Sequence, residues 1–370
     1  MRRPRRERGG PPVPEPEIPV ALVVGSSGIT GGAIVRLLAG RGGEVVGLAR
    51  RPGEAPGGTR TIAGDLLDPE GLAAALEGLA PTHVFYTSWS KRDTEDENRE
   101  VNTAMMRNLF AALEPAGSVR HVALVTGLKH YLGPFEAYGT GEVPDTPFRE
   151  EEERLDVANF YYDQEDELFA ASERTGATWS VHRSHTVVGF AVGNAMNMGL
   201  TIGAQAALCR ETDRPFVFPG SEAQWNGVCD VTDADLLAEH MVWAATSPAA
   251  ADTAFNVVNG DVFRWRRLWP RIAEHLGVRP EGFEGEARPL EEQMAGQEDA
   301  WAAIAEREGL VEADLSRVAS WWHTDADLGR PFEVFADMGR SRDLGFTGHR
   351  RTEESFLRAL DRYREARILP

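Results

Sequence analysis

The sequence predicts an α/β fold, a Rossmann-type doubly wound parallel sheet carrying a smaller, mainly helical lobe that would bind substrate. Three observations point there. Short β-branched runs alternate with longer helical stretches from residue 20 to about 190. A glycine-rich turn follows the first run and opens the first helix. Beyond about residue 189 the strand rhythm thins and the chain becomes helical and rich in tryptophan.

Residues 1–19, MRRPRRERGGPPVPEPEIP, combine arginine and proline with almost no apolar content, so a disordered tail is expected. Two arginine pairs invite comparison with an export signal. The apolar run after them, VALVVG, is too short for a signal core and makes a better first strand. Strands are expected at 20–25, 44–50, 59–65, 82–89, 119–127 and 178–189, with helices over 30–40, 69–78, 95–114 and 160–174. Residues 20–190 then form the Rossmann-type domain. Residues 191–370 form mainly the substrate lobe, with a helix over 232–246 and AFNVVNG, 254–260, returning to the sheet as a strand. Trp225, Trp243, Trp265, Trp269, Trp301, Trp321 and Trp322 would fill this lobe and cover the sheet's carboxyl edge, where ligands of wound sheets bind.

Composition narrows the partners. The 370 residues are 42% hydrophobic and 26% charged, as in ordinary globular proteins. A formal net charge of -19 repels phosphate backbones and argues against nucleic acid or an anionic membrane as a partner. No stretch approaches the roughly 18 consecutive apolar residues of a membrane span. Cys209 and Cys229 make no disulfide framework and no CxxC pair, which fits a reducing, cytoplasmic setting. Exposed helices on this scaffold often pair, which leaves a homodimer open, but the sequence does not fix the oligomeric state.

The first strand runs into GSSGITGG, with Gly25, Gly28 and Gly31 spaced three apart ahead of a helix. Glycines there let backbone amides approach a pyrophosphate at a helix N-terminus. The second strand ends in Arg50-Arg51 where an NAD site would carry an acid. Two guanidinium groups suit a 2′-phosphate, so NADPH/NADP+ is the expected cofactor. Asp65 falls where adenine would rest.

Of 39 basic residues only two, Lys91 and Lys129, are lysine. Lysine is kept where a compact ammonium must sit beside another titrating group. Reductases on this scaffold often carry Tyr-x-x-x-Lys on one helix, but four residues before these lysines stand Thr87 and Val125. Either there is no proton chemistry, or the tyrosine comes from another segment. Lys129, two residues past the fifth strand, faces the cleft, and NFYYDQED brings Tyr161 and Tyr162 to the start of a helix facing it.

Taken together, TGLKHYLGPFEAYG, NFYYDQED, TWSVHR, DADLLAEHMVWAA and FNVVNGDVFRWRRLW resemble, in this order, the progesterone 5β-reductase and iridoid synthase family of atypical short-chain dehydrogenases. The likeness runs from about residue 20 to the C-terminus. It implies that Lys129 and Tyr161 are the catalytic pair. It also implies cofactor contacts at Ser27, Gly28 and Ile29, at Arg50 and Arg51, and at Asp65, Leu66 and Ser88. Val187, Asn194, Ala195 and Met196 would follow. The implied reaction is NADPH-dependent reduction of a carbon–carbon double bond conjugated to a carbonyl, on a small enone or enal. The chain departs at Ser184-His185, where the family usually has Pro-Gly beside the nicotinamide.

Two other readings stay open: an epimerase or dehydratase acting on a sugar nucleotide, which would need Tyr-x-x-x-Lys, and a sensor that binds NADPH without consuming it. His182 and His185 sit three apart on a strand and point to opposite faces, so no shared metal is expected. Arg149–Arg154, REEEER, reads as a solvated loop or helix start, and Thr232-x-x-Asp235 as a helix cap. His130 and Tyr131 either line the pocket or pack.

Overall fold

The computed structural model describes residues 18–53, 59–134 and 145–370. Seven strands form one sheet: β1 (Val20–Val24), β2 (Glu44–Ala49), β3 (Thr59–Ala63), β4 (His83–Tyr86), β5 (His121–Gly127), β6 (Thr178–Ser184) and the late strand Thr253–Val257. Their order is late strand, β6, β5, β4, β1, β2, β3, and every pairing is parallel. Parallel sheets are covered on both faces, which requires continuous apolar runs. VALVV and HVFY supply them, and β4 is wholly buried.

Alternation along β1 divides the core. Ala21 and Val23 pack with α1 (Ile29–Ala39) and the helix Ala234–Thr246 on one face. Leu22 and Val24 pack with α3 (Glu95–Leu113) and α5 (Phe160–Thr175) on the other. The chain winds outward from β1 in both directions, through β2 and β3 on one side and β4 to β6 on the other. The carboxyl ends of β1 and β4 therefore border a crevice.

Several expectations need correcting. The tail expected over 1–19 lies outside the described residues up to 17, but Ile18 is buried against the sheet core and belongs to the fold. The strand expected over 178–189 breaks: β6 stops at Ser184, and Val187–Val188 leaves the sheet to pair with Thr232–Asp233. Thr232 does not cap the next helix, because its hydroxyl donates to the Val257 carbonyl. The cap is Asp233, which accepts from the amides of Asp235 and Leu236. REEEER is not wholly solvated, since Glu150 is buried and accepts from the Asn256 amide at 3.1 Å.

The helical lobe is organised on α6 (Met198–Glu211), whose residues from Met198 to Cys209 are all buried. A helix apolar all round is a core helix, here ringed by the others. Trp269 stacks on Phe216 with centroids 4.0 Å apart, and Trp265 and Trp301 complete the same core. Trp243 departs from expectation, packing with His240, Phe255 and Phe346 on the sheet. Trp321 and Trp322 stay partly exposed on the helix Trp321–Leu328.

Candidate active site

The glycine loop comes first along the chain. Gly25 has φ +85, and a Cβ on it would lie 2.6 Å from the Ser88 hydroxyl. A Cβ on Gly31 would lie 2.2 Å from the Gly25 carbonyl. Only glycine permits this approach of β1, the end of β4 and the first turn of α1. α1 starts after Gly28 with no capping side chain and no acidic residue in its first turn. By contrast α2 (Pro69–Ala75), α3, α5 and α6 are capped by Asp68, Thr94, Asn159 and Asn197. The first-turn N–H groups of α1 are thus left for an anion, and a dinucleotide pyrophosphate fits this cradle.

Beyond β5, Leu128 turns the chain into a single helical turn, α4 (Lys129–Leu132), which the sequence pattern did not announce. The Lys129 side chain is 9% exposed, with its Nζ 3.9 Å from Glu95 Oε2 and 4.9 Å from the centre of the Phe160 ring. Glu95, the first residue of α3, is itself fixed. Its Oε1 accepts from the Phe160 amide at 2.8 Å, and its Oε2 accepts from Asn98 Nδ2 at 3.1 Å.

Asn159 ties the two expected catalytic residues together. Its Nδ2 donates to the Lys129 carbonyl at 2.8 Å, while its Oδ1 accepts from the Tyr161 amide at 3.1 Å and so caps α5. The adjacent tyrosines separate. Tyr162 is consumed by structure: its hydroxyl donates to the His130 carbonyl at 2.7 Å and accepts from the Leu155 amide at 3.0 Å, and burial raises its pKa. Tyr161 lies over the end of β5, where a Cβ on Gly127 would sit 3.5 Å from its hydroxyl, and it lines an open cleft together with Lys129.

That cleft is open to solvent and lies between the glycine loop, the end of β5 and the start of α5. Trp89 and Phe160, stacked 5.7 Å apart, form its apolar side. The opposite wall is polar and closed on itself. Arg330 donates to His185 Nε2 at 2.8 Å, so that nitrogen accepts and Nδ1–H donates to Asp230 at 2.7 Å. Arg330 also pairs with Asp327, which accepts from the Thr186 hydroxyl at 2.6 Å. Burial pushes the Asp327 carboxyl up, but Arg330, His323 and His185 outweigh it and leave the pKa lowered. His182 faces the other way, with its Nδ1 3.0 Å from that of His240.

From the expected coenzyme set, Gly28, Ile29, Ser88, Val187, Asn194 and Met196 line the cleft. Ser27 lines a neighbouring groove on the flank of α1. Arg50 and Arg51 are exposed just past β2. β3 ends at Ala63, so Asp65 stands in the turn after it, accepting from the Leu67 amide at 2.9 Å, with Leu66 buried beside it. Ala195 is exposed. His130 and Tyr131 pack: His130 meets the Glu152 carbonyl at 3.1 Å and Tyr131 donates to Asn256 at 2.7 Å. Glu95, Asn159 and the Asp230–Arg330–Asp327 set were missed. Asn159 stood in view as an N-cap residue type just ahead of the two tyrosines.

Comparison with known proteins follows the same outline. The family model described as a PRISE-like Rossmann-fold domain matches residues 74–370. The chain is 40% identical to a 3-oxo-Delta(4,5)-steroid 5-beta-reductase of Arabidopsis thaliana, covering 95% of this chain and 93% of that protein. It is 39% identical, at the same coverage of each, to an (S)-8-oxocitronellyl enol synthase of Camptotheca acuminata. Among solved structures, the Thermus thermophilus UDP-glucose 4-epimerase in complex with NAD superposes with a TM-score of 0.66 at 21% identity, covering 94% of this chain and 99% of that one. That likeness concerns the fold. Identity over nearly the whole length is the stronger finding, and by it the chain belongs to the PRISE-like Rossmann-fold family.

Proposed function

We propose that this protein is an NADPH-dependent reductase of a carbon–carbon double bond conjugated to a carbonyl, with Tyr161 and Lys129 as its catalytic pair. The observation that carries the reading is a lysine and a tyrosine from separate segments on one cleft, with Asn159 bonded to the backbone of both. The position four residues after Tyr161, which would hold lysine in Tyr-x-x-x-Lys, is Glu165, buried and paired with Arg154 at 2.8 Å. This disfavours the epimerase reading. The relative from Arabidopsis thaliana is named as a reductase of 3-oxo-Delta(4,5)-steroids, which are enones, and supports this reading; the relative from Camptotheca acuminata is named for the formation of an enol.

The glycine loop and the first turn of α1 would hold the pyrophosphate, Arg50 and Arg51 would supply charge to the 2′-phosphate from the end of β2, and Asp65 and Leu66 would border the adenine. Ser88, Val187 and residues 194–196 would border the nicotinamide. Bound NADPH supplies the hydride that adds to the substrate's β-carbon. Negative charge then builds on the carbonyl oxygen, where the Tyr161 hydroxyl donates a hydrogen bond that stabilises it by about 3 kcal/mol, as an oxyanion-hole donor does. The buried Lys129 ammonium keeps positive charge beside the phenol, and Trp89 and Phe160 exclude water from this side. The α-carbon takes its proton from solvent. Residues 20–190 serve mainly the coenzyme and 191–370 mainly the substrate. Buried Cys209 and Cys229 suit a cytoplasmic setting.

The test is NADPH absorbance followed against a panel of steroid, linear dialdehyde and small cyclic enones. Consumption of NADPH with release of the saturated carbonyl is expected. Binding of NADPH with no consumption against any activated alkene would return the protein to the sensor reading.

A further inference from the structure

A second groove lies on the flank of α1, reaching from the glycine loop across β2 and β3 to the last helix, Thr352–Glu365. Its polar lining comes from Ser26, Ser27, Thr59, Thr61, Arg36 and Arg362. Gly47 and Gly53, which flank the Arg50-Arg51 pair in sequence, line it too.

Charge in this groove is out of balance. The Arg36 side chain folds back along α1, so that a Cβ on Gly32 would lie 3.3 Å from its Nη1. The guanidinium thereby approaches the positive end of the helix, the end a cation disfavours. Its carboxylate partner is Asp235 at 3.4 Å, with both side chains partly exposed. Arg362 projects from the last helix and lies 5.1 Å from the centre of the Phe190 ring. No carboxylate pairs with it among the described residues. Burial, and next the charge of Arg362, lower the pKa of Arg36, as expected for like charges facing one space. Two guanidinium groups thus line one groove beside the positive end of a helix, and of the two only Arg36 has a carboxylate within ion-pair distance among the described residues.

We infer that Arg36 and Arg362 form a phosphate-binding notch beside the glycine loop, with the hydroxyls of Ser26, Ser27, Thr59 and Thr61 available as further donors. A phosphate monoester suits it, because its oxygens accept from two forked guanidinium groups at once. Two sources share this chemistry: the ribose 2′-phosphate of the coenzyme, which the notch would hold together with Arg50 and Arg51 and which rests on the reading under Proposed function, and a free phosphate.

The test uses the full-length protein. Binding of NADPH and NADH is followed by quenching of tryptophan fluorescence, and inorganic phosphate by its stabilisation against heat. Arg362→Met keeps the aliphatic stem over Phe190 and removes the charge, while Arg362→Lys restores a cation and checks that the site still folds. If the notch takes the 2′-phosphate, Arg362→Met weakens NADPH by about tenfold, the loss of one charge-assisted hydrogen bond, leaves NADH unchanged, and Arg362→Lys recovers part of the loss. If it takes free phosphate, NADPH affinity is unchanged and the stabilisation by inorganic phosphate disappears in Arg362→Met. Unchanged responses to both probes overturn the notch. Failure of the wild type to bind either nucleotide instead overturns the coenzyme reading, and the phosphate arm still decides the notch.

Discussion

The two walls of the cleft are built by different means. The wall carrying Lys129 and Tyr161 is held by a few single bonds, from a cap residue two positions before Tyr161 and from the first carboxylate of α3, which reaches the Phe160 amide 65 residues along the chain. The wall carrying His185 is held by a ring of buried charges from distant parts of the chain: Asp230, Arg330 and Asp327. The first wall offers its groups to the cleft. The second joins His185, Asp230, Arg330 and Asp327 to one another, so its expected contribution is rigidity and shape. Substitutions on the first wall should therefore strike turnover and those on the second should strike stability.

The largest effect is expected at Tyr161. Tyr161→Phe should lower kcat by about 10²- to 10³-fold with little change in melting temperature, and wild-type turnover of a good enone would refute its role. Lys129→Arg keeps the charge and changes the geometry, so a loss on the order of tenfold or more in kcat is expected, with NADPH still binding. On the other wall, His185→Gly leaves Asp230 and Arg330 buried with one partner fewer. It should cost about 3 kcal/mol in urea unfolding, while the effect on kcat stays smaller than that on stability. If His185→Gly left stability intact and abolished turnover, the contrast between the walls would fail.

Asn159→Ala sharpens the contrast, since one side chain serves both structure and site. A cap loss of about 1 kcal/mol should accompany a drop in kcat, and Asn159→Asp should restore the cap but not the bond to the Lys129 carbonyl. A further effect, spread over the sheet and not confined to either wall, concerns acid. Behind both walls run His121 on β5, His182 on β6 and His240, linked through Ser180. Burial lowers the pKa of His121 and His240 to about 3. These rings are neutral when folded and take protons when unfolded, so the melting temperature should fall as pH drops from about 6.5 toward 3. Melting curves across that range check it.

Legibility in the sequence follows the same division. Lys129 stood out because the chain has almost no lysine, and Tyr161 and Tyr162 together because Tyr-x-x-x-Lys was missing; only the family resemblance pointed to Tyr161. Glu95 was hidden, since an acid at the start of a helix reads as a favourable dipole partner and nothing more. The ring around His185 was invisible, because its members lie up to 145 residues apart and no period or spacing joins them.

By itself the sequence determined the strand and helix rhythm, the glycine turn and the segments that bear the reactive groups. These are local properties, set by side-chain periodicity, backbone freedom and residue type. Tertiary structure decided which of two adjacent tyrosines faces the cleft, which charges close on one another, and that Arg36 and Arg362 line one groove. Those outcomes depend on where the sheet brings separate segments together, and no local pattern encodes that.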